Sequence, residues 1–207
     1  MKKKLKIVGS GSHCKVIIDC ALSNGYKIEY IIDINSIKKT NEKIFGIPVK
    51  NKDTIKKIKK NDLVFLAIGD NKIRSYYFKI FKLKLVKFIN LISKSSFVSP
   101  YAILGDGILI NNNCIVNAGS KINNNCIINS GAIIEHDVKI GKNSHICPGV
   151  IIGGNTLIGQ NCFIGLGSNI IDKIKIGSNT TLGSGSLVIK NIESNQVFAG
   201  SPAKKML

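Results

Sequence analysis

Three histidines, His13, His136 and His145, are the only side chains of this 207-residue chain whose ordinary pKa lies near neutrality. His136 sits between Glu135 and Asp137, and a carboxylate beside an imidazole can orient it or stabilise its charged form. Such a histidine can take a proton from an attacking nucleophile as a general base. Spacing alone leaves a solvated histidine at a turn equally open. His145 follows nine residues later. Six cysteines are the other candidate nucleophiles. Cys147 follows an inward apolar position and could be exposed, which makes it a candidate nucleophile, but no base adjoins it in sequence. Cys114, Cys126 and Cys162 take positions that Ala, Ser and Thr fill elsewhere, and Cys14 and Cys20 fall six apart in a predicted helix. None shows zinc-site spacing, and three scattered histidines make a poor ligand set, so no metal is expected.

The elements that carry His136 and His145 belong to a hexapeptide repeat. Val, Leu or Ile recurs at every sixth residue from Val98 to Val188, sixteen times in one register, which a 44% hydrophobic chain would produce by chance roughly twice in a million trials. Two positions earlier stands a small or aliphatic residue, and a strand's period of two puts both on one face, pointing inward. Gly or Asn between them supplies a left-handed corner, expected at Gly105, Gly141, Gly159, Gly165 and Gly177, one residue after the deep aliphatic. Three six-residue sides close a triangular coil, giving about five stacked coils with no looped-out arm. His136, two residues after inward Ile134, approaches a corner. His145 lies half a coil on and cannot simply stack above it.

The first ninety residues read as a second module, so the expected domains are 1–90 and 91–207. Leu5 to Val8 form a strand that runs into Gly9-Ser10-Gly11-Ser12-His13 and then a helix whose apolar face is Val16, Ile17, Ile18, Ala21 and Leu22. Glycines let the backbone approach a ligand, and free amides at the helix start attract phosphate. A strand from Ile28 to Ile32 ends at Asp33, placed to accept bonds from a ribose or base edge. A third, Leu63 to Ile68, closes with Gly69-Asp70-Asn71, and Arg74 is a structural or phosphate partner. The last glycine of the dinucleotide fingerprint is missing, so a single nucleotide carrying a sugar fits this small Rossmann-like βαβαβ unit better than a dinucleotide. A purely structural α/β cap is the plain alternative.

Net charge is +18, yet only one of thirty basic residues is arginine and the lysines are dispersed, which argues against nucleic acid and for small polyanions such as phosphorylated cosubstrates. No run of eighteen apolar residues exists, and Leu5 to Val8 is too short for a signal peptide's apolar region. A cytoplasmic protein without membrane insertion is the expectation.

Four segments together, Gly9-Ser10-Gly11-Ser12-His13, Ala67-Ile68-Gly69-Asp70-Asn71-Lys72-Ile73-Arg74, Ile134-Glu135-His136-Asp137 and Gly200-Ser201-Pro202-Ala203-Lys204, resemble the hexapeptide-repeat sugar acetyltransferases, a family that includes bacillosamine-pathway, perosamine and sialic acid enzymes. The pattern is nearest the bacillosamine-pathway N-acetyltransferases of UDP-linked 4-amino sugars. The resemblance implies a nucleotide-sugar domain followed by a left-handed parallel β-helix, a homotrimer, and acetyl-CoA bound between adjacent prisms. It implies that His136, with Asp137, is the base that deprotonates an amine attacking the thioester. It further implies that His145 contacts acetyl-CoA, that the Gly154 amide faces the thioester oxygen, and that Gly165, Leu166, Gly183 and Ser184 touch pantetheine and nucleotide. Gly9, Gly11, Ser12, His13, Asp33, Gly69, Asp70 and Asn71 become the nucleotide-sugar contacts, with Ser12 standing where the family's turn has a glycine. The implied reaction is direct N-acetylation of a nucleotide-linked 4-amino-4,6-dideoxy sugar for a surface glycan. O-acetylation of sialic acid or another sugar, and a non-enzymatic solenoid that presents a binding surface, are the competing readings.

Overall fold

In the computed structural model, residues 3–37 and 41–206 are described. The chain divides into two compact units, Met1–Leu91 and Ile92–Leu207.

The first unit is a six-stranded sheet built from β1 (Lys4–Val8), β2 (Lys27–Ile32), β3 (Lys43–Ile44), β4 (Ile47–Lys50), β5 (Leu63–Leu66) and β6 (Lys87–Phe88). Its order is β3-β4-β2-β1-β5-β6, parallel except for the β3–β4 hairpin. Helices α1 (Ser12–Ser23) and α2 (Asn71–Leu83) follow β1 and β5. β1 buries Leu5, Ile7 and Val8, and β5 buries Val64, Phe65 and Leu66, as expected of a parallel sheet covered on its faces. The buried face of α1 is Cys14, Ile17, Ile18, Cys20 and Ala21; Leu22, expected on that face, is exposed. Because β2, β1 and β5 are parallel neighbours, the turns after them gather at one sheet edge.

The second unit is a left-handed parallel β-helix of short rungs, in which every third hexapeptide returns to the same face. The first face stacks Leu109–Ile110, Ile127–Ile128, His145–Ile146, Phe163–Ile164 and Thr181–Leu182. The second stacks Phe97–Val98, Ile115–Val116, Ile133–Ile134, Ile151–Ile152, Asn169–Ile170 and Leu187–Val188. Ile103–Leu104, Lys121–Ile122, Lys139–Ile140, Leu157–Ile158 and Lys175–Ile176 make the third. The second residue of each rung points inward, and from Ile110 onward these side chains are almost fully buried. Each contributes about 1.5–3 kcal/mol by leaving water. The small inward residues do more than fill space. Ser120 Oγ donates to the Glu135 carbonyl, 2.6 Å away, and accepts from the Val138 amide at 3.1 Å, fastening one coil to the next. Ser144 repeats the pattern, and the Cys126 and Cys162 thiols reach the matching carbonyls at 3.1 Å.

Two expectations are corrected. Left-handed corner residues lie three, not one, after the deep aliphatic: Asn113, Gly119, Asn125, Gly131, Asp137, Asn143 and their successors have φ near +60° to +75°. Glycines one residue after the aliphatic answer to space instead, since a Cβ on Gly141 would come within 2.5 Å of the Gln160 amide nitrogen in the next coil. Cys147 is not exposed; it is 2% accessible and belongs to the core. The hexad register runs unbroken to Val188 with no looped-out arm, after which the last turn is shorter than the others, so that Thr181 pairs with Val197.

Candidate functional site

His136 and Asp137 leave the Ile133–Ile134 rung at the corner between the second and third faces. Asp137 is itself the left-handed residue, φ +59°. Its Oδ2 lies 2.9 Å from His136 Nδ1. A carboxylate only accepts, so the proton sits on Nδ1 and the Nε2 lone pair is left for another partner. Both side chains are more than half exposed. In the equivalent place one coil on stands Gly154, where a Cβ would be 2.7 Å from Nε2 and 2.8 Å from Cε1. The imidazole thus rests against bare backbone. Asn155 N–H donates to the His136 carbonyl at 3.0 Å, while the Gly154 N–H makes no hydrogen bond among the described residues. An amide held beside the imidazole can stabilise an oxyanion that forms there. Glu135 turns the other way and accepts from Asn117 Nδ2 at 3.0 Å.

His145 occupies the outer side of the first face, in register between Ile127 and Phe163, and is buried. Its Nε2 lies 3.3 Å from Asn129 Nδ2, and Phe163 meets it edge-on with ring centroids 5.4 Å apart. His136 and His145 therefore stand on different sides of the prism. Between the first and second faces, four successive corner positions are glycine: Gly131, Gly149, Gly167 and Gly185. A Cβ on Gly131, Gly167 or Gly185 would have nothing within 4 Å, so this corner is a strip of bare backbone with open space beside it. Leu166 and Ser184 are exposed along it. Gly165 and Gly183 are accounted for by coil stacking, their Cβ positions falling 2.6 Å from the Leu182 carbonyl oxygen and 2.8 Å from Ala199 Cβ. Burial pushes the Cys147 thiol up to about 12, which removes the thiolate that covalent transfer needs.

In the first unit, Gly9 (φ +108°) answers to packing: a Cβ there would sit 2.6 Å from the Ala67 carbonyl oxygen. Gly11 and Gly69 differ, since a Cβ on either meets nothing within 4 Å. Gly11 is the N-cap of α1, which has no side-chain cap and no acidic residue in its first turn, and Ser12 opens the helix. An uncapped, uncompensated helix start is an electropositive end. Burial, then the charge of Arg74, lowers the His13 pKa to about 4, so at neutral pH His13 acts as an uncharged hydrogen-bonding group. Asp70 caps α2 through the Ile73 amide at 2.8 Å, and Asp33 accepts from the Asn35 amide at 2.8 Å. Arg74 is buried, donating to the Ile68 and Gly69 carbonyls and to Asn71 Oδ1 at 2.8–3.0 Å, which makes it the organiser of the loop.

Sequence reasoning passed over Asn117, Gly119, Ser120 and Asn129. The first three would have emerged from stepping back three hexads from Glu135, Asp137 and Val138, and the same step forward derives Gly154 from His136. Among the described residues, no group of three or more His, Cys, Asp or Glu is arranged to hold a metal, and no helix is long and apolar enough to cross a membrane.

Residues 4–81 match the PglD N-terminal domain, and 119–154 and 155–190 match the six-repeat bacterial transferase hexapeptide. The acetyltransferase domain of PglB from Neisseria gonorrhoeae, solved with acetyl coenzyme A, is 30% identical with TM-score 0.92, each chain being covered fully. A variant of perosamine N-acetyltransferase from Caulobacter crescentus, solved with CoA and GDP-perosamine, is 28% identical with TM-score 0.90 over 99% of this chain and 97% of that one. WeeI from Acinetobacter baumannii, 20% identical with TM-score 0.82 over 99% of this chain and all of its own, shares the fold. An uncharacterised protein of Acanthamoeba polyphaga mimivirus is 33% identical over 103 residues, 49% of this chain, and this chain spans about a fifth of its length. With both halves matched in order and likeness running end to end, the chain belongs to the hexapeptide-repeat sugar acetyltransferases that carry a PglD-type N-terminal domain.

Proposed function

We propose that this protein is an acetyl-CoA-dependent N-acetyltransferase that modifies the 4-amino group of a nucleotide-linked 4-amino-4,6-dideoxy sugar in the cytoplasm, for a surface glycan. The observation that carries the reading is the His136–Asp137 pair, 2.9 Å apart, with its imidazole against Gly154. The sugar amine attacks the thioester carbonyl and His136 Nε2 accepts the proton the nitrogen sheds. Asp137 holds the tautomer, the Gly154 amide faces the oxyanion, and the C–S bond breaks to release CoA. No acyl-enzyme forms, in keeping with the buried, proton-bearing Cys147.

The bare glycine strip supports a path for the pantetheine arm past Leu166 and Ser184 toward His145. In the first unit, the bare α1 start, the open space at Gly11 and Gly69, and neutral His13 support a diphosphate site, with Asp33 beyond β2 for the ribose or base. The second face supports a trimer. Its outer ladder, Phe97, Ile115, Ile133, Ile151, Asn169 and Leu187, is apolar but for Asn169, and Phe97, Ile115 and Ile151 are 36–57% exposed. That face is bounded on one edge by the His136 corner and on the other by the glycine strip. Three copies closing head to tail around it bring one protomer's imidazole to its neighbour's glycine strip.

The test is a thiol-release assay with acetyl-CoA against UDP-, GDP- and dTDP-linked 4-amino-4,6-dideoxy sugars and free sialic acid. Turnover with one nucleotide-linked amine is expected and names the base. Turnover confined to sialic acid would move the assignment to O-acetylation, and silence throughout, with no CoA binding, would leave a binding solenoid.

A further inference from the structure

We propose that Gly119 is a positioning residue for the His136–Asp137 pair, kept free of a side chain so that the Asp137 carboxylate can fold back over it and reach His136. The inference rests on the reading of this corner as the site of acetyl transfer.

Gly119 takes the same left-handed corner position as Asp137, one coil earlier in the chain. The left-handed backbone, φ +74° at Gly119, favours glycine without requiring it, since the solenoid places other residues at such corners. Asn125, Asn143, Asn155, Asp137 and Lys173 hold that conformation in the equivalent place, with φ of +58° to +62°. What demands glycine is the next coil. A Cβ on Gly119 would overlap Asp137 Oδ1 and lie 3.2 Å from its Cγ. The carboxylate thus occupies the space that a side chain at 119 would claim, and from there it bonds His136 Nδ1.

Exposure makes this contact matter. Within one protomer the His136 and Asp137 side chains are 59% and 57% accessible, so packing inside the chain does little to restrain their rotamers. Two solvated neighbours lose side-chain entropy when they pair, and the pairing persists only where the surroundings narrow the alternatives. Backbone supplies that narrowing on two sides: Gly119 beneath the carboxylate and Gly154 against the imidazole. Ser120, the residue after Gly119, bonds both the Glu135 carbonyl and the Val138 amide, and so pins the segment that carries the pair.

The test is Gly119→Asn, since asparagine adopts this backbone conformation elsewhere in the same solenoid. A displaced carboxylate leaves the base present but its tautomer unfixed. The expected result is a fall in kcat of about tenfold, with KM for acetyl-CoA within about twofold of the parent. In an Asp137→Ala background the same substitution adds less than about twofold, because the two act through one contact. Ring nitrogen-15 shifts of neutral His136 should move from the Nδ1–H tautomer toward a mixture in Gly119→Asn and in Gly119→Ala, whose methyl is the smallest group that meets the carboxylate but whose left-handed backbone costs more, each read on protein that circular dichroism shows to be folded. Unchanged kcat with unchanged ring shifts, or losses that add to those of Asp137→Ala, would overturn the proposal. Ring shifts that respond in a protein inactive toward every sugar amine would support the geometry and overturn the acetyl-transfer reading; unresponsive shifts in an active enzyme would do the reverse.

Discussion

Two corners of the same prism share a backbone and part company in their side chains. Between the third and first faces the left-handed positions begin at Gly107 and run through Asn125, Asn143, Asn161 and Asn179 to Asn195. Their amides bond along the column, Asn125 to Asn143 at 2.8 Å and Asn161 to Asn179 to Asn195 at 3.0 Å each. Between the second and third faces the same position reads Gly119, Asp137, Asn155, Lys173, and Asp137 bonds sideways to His136 instead of along the column. A repeated corner can satisfy itself with repeated side chains. In the second corner one side chain is diverted out of the column toward an imidazole, and the corner residue one coil earlier is a glycine.

The largest effect should come from removing the diverted corner's imidazole. His136→Ala should lower kcat by about 10²–10⁴-fold, the usual worth of a positioned general base, while acetyl-CoA binding by calorimetry persists. Near-normal turnover would mean that the corner is no more than an irregular stretch of solenoid.

A second test sharpens the contrast between a histidine left in solvent and one taken out of it. His13 has a folded pKa of about 4 against an ordinary 6.5, so the unfolded chain takes up its proton first as pH falls. Stability from this group is complete above about pH 6.5 and is lost as pH drops toward 4, by about 2 kcal/mol at pH 5. The melting temperature of the parent should therefore fall more steeply between pH 7 and 5 than that of His13→Asn. Parallel curves would remove His13 from the acid response.

The smallest effect belongs to the regular corner. Asn143→Gly keeps the left-handed backbone and deletes one rung of the amide ladder, at a cost of about 1 kcal/mol, or about 4 °C in Tm, with kcat unchanged. A loss of turnover there would erase the distinction between the two corners.

Much of this is legible in the sequence alone. The inward aliphatics from Ile110 to Val188 are buried as their spacing requires, and the β-α-β start and the His136–Asp137 neighbours are visible in one dimension. Glycine was the misleading signal. Gly141 and Gly119 look alike in a sequence, yet one makes way for the next coil's backbone and the other, left-handed, lies beneath a carboxylate. Cys147 misled for a related reason, since alternation along a strand does not say which way a residue turns as the chain rounds a corner into the core.

Period and composition were enough to specify the solenoid, because each hexad buries its own aliphatic side chain and repeats the decision locally. Which groups meet across coils was settled by closure in space. Gly119 and Asp137 are a full coil apart along the chain, as are His136 and Gly154, and Asn129 and His145 are nearly so. Those contacts exist because three sides close a coil and stacking at hydrogen-bond distance brings distant residues against one another.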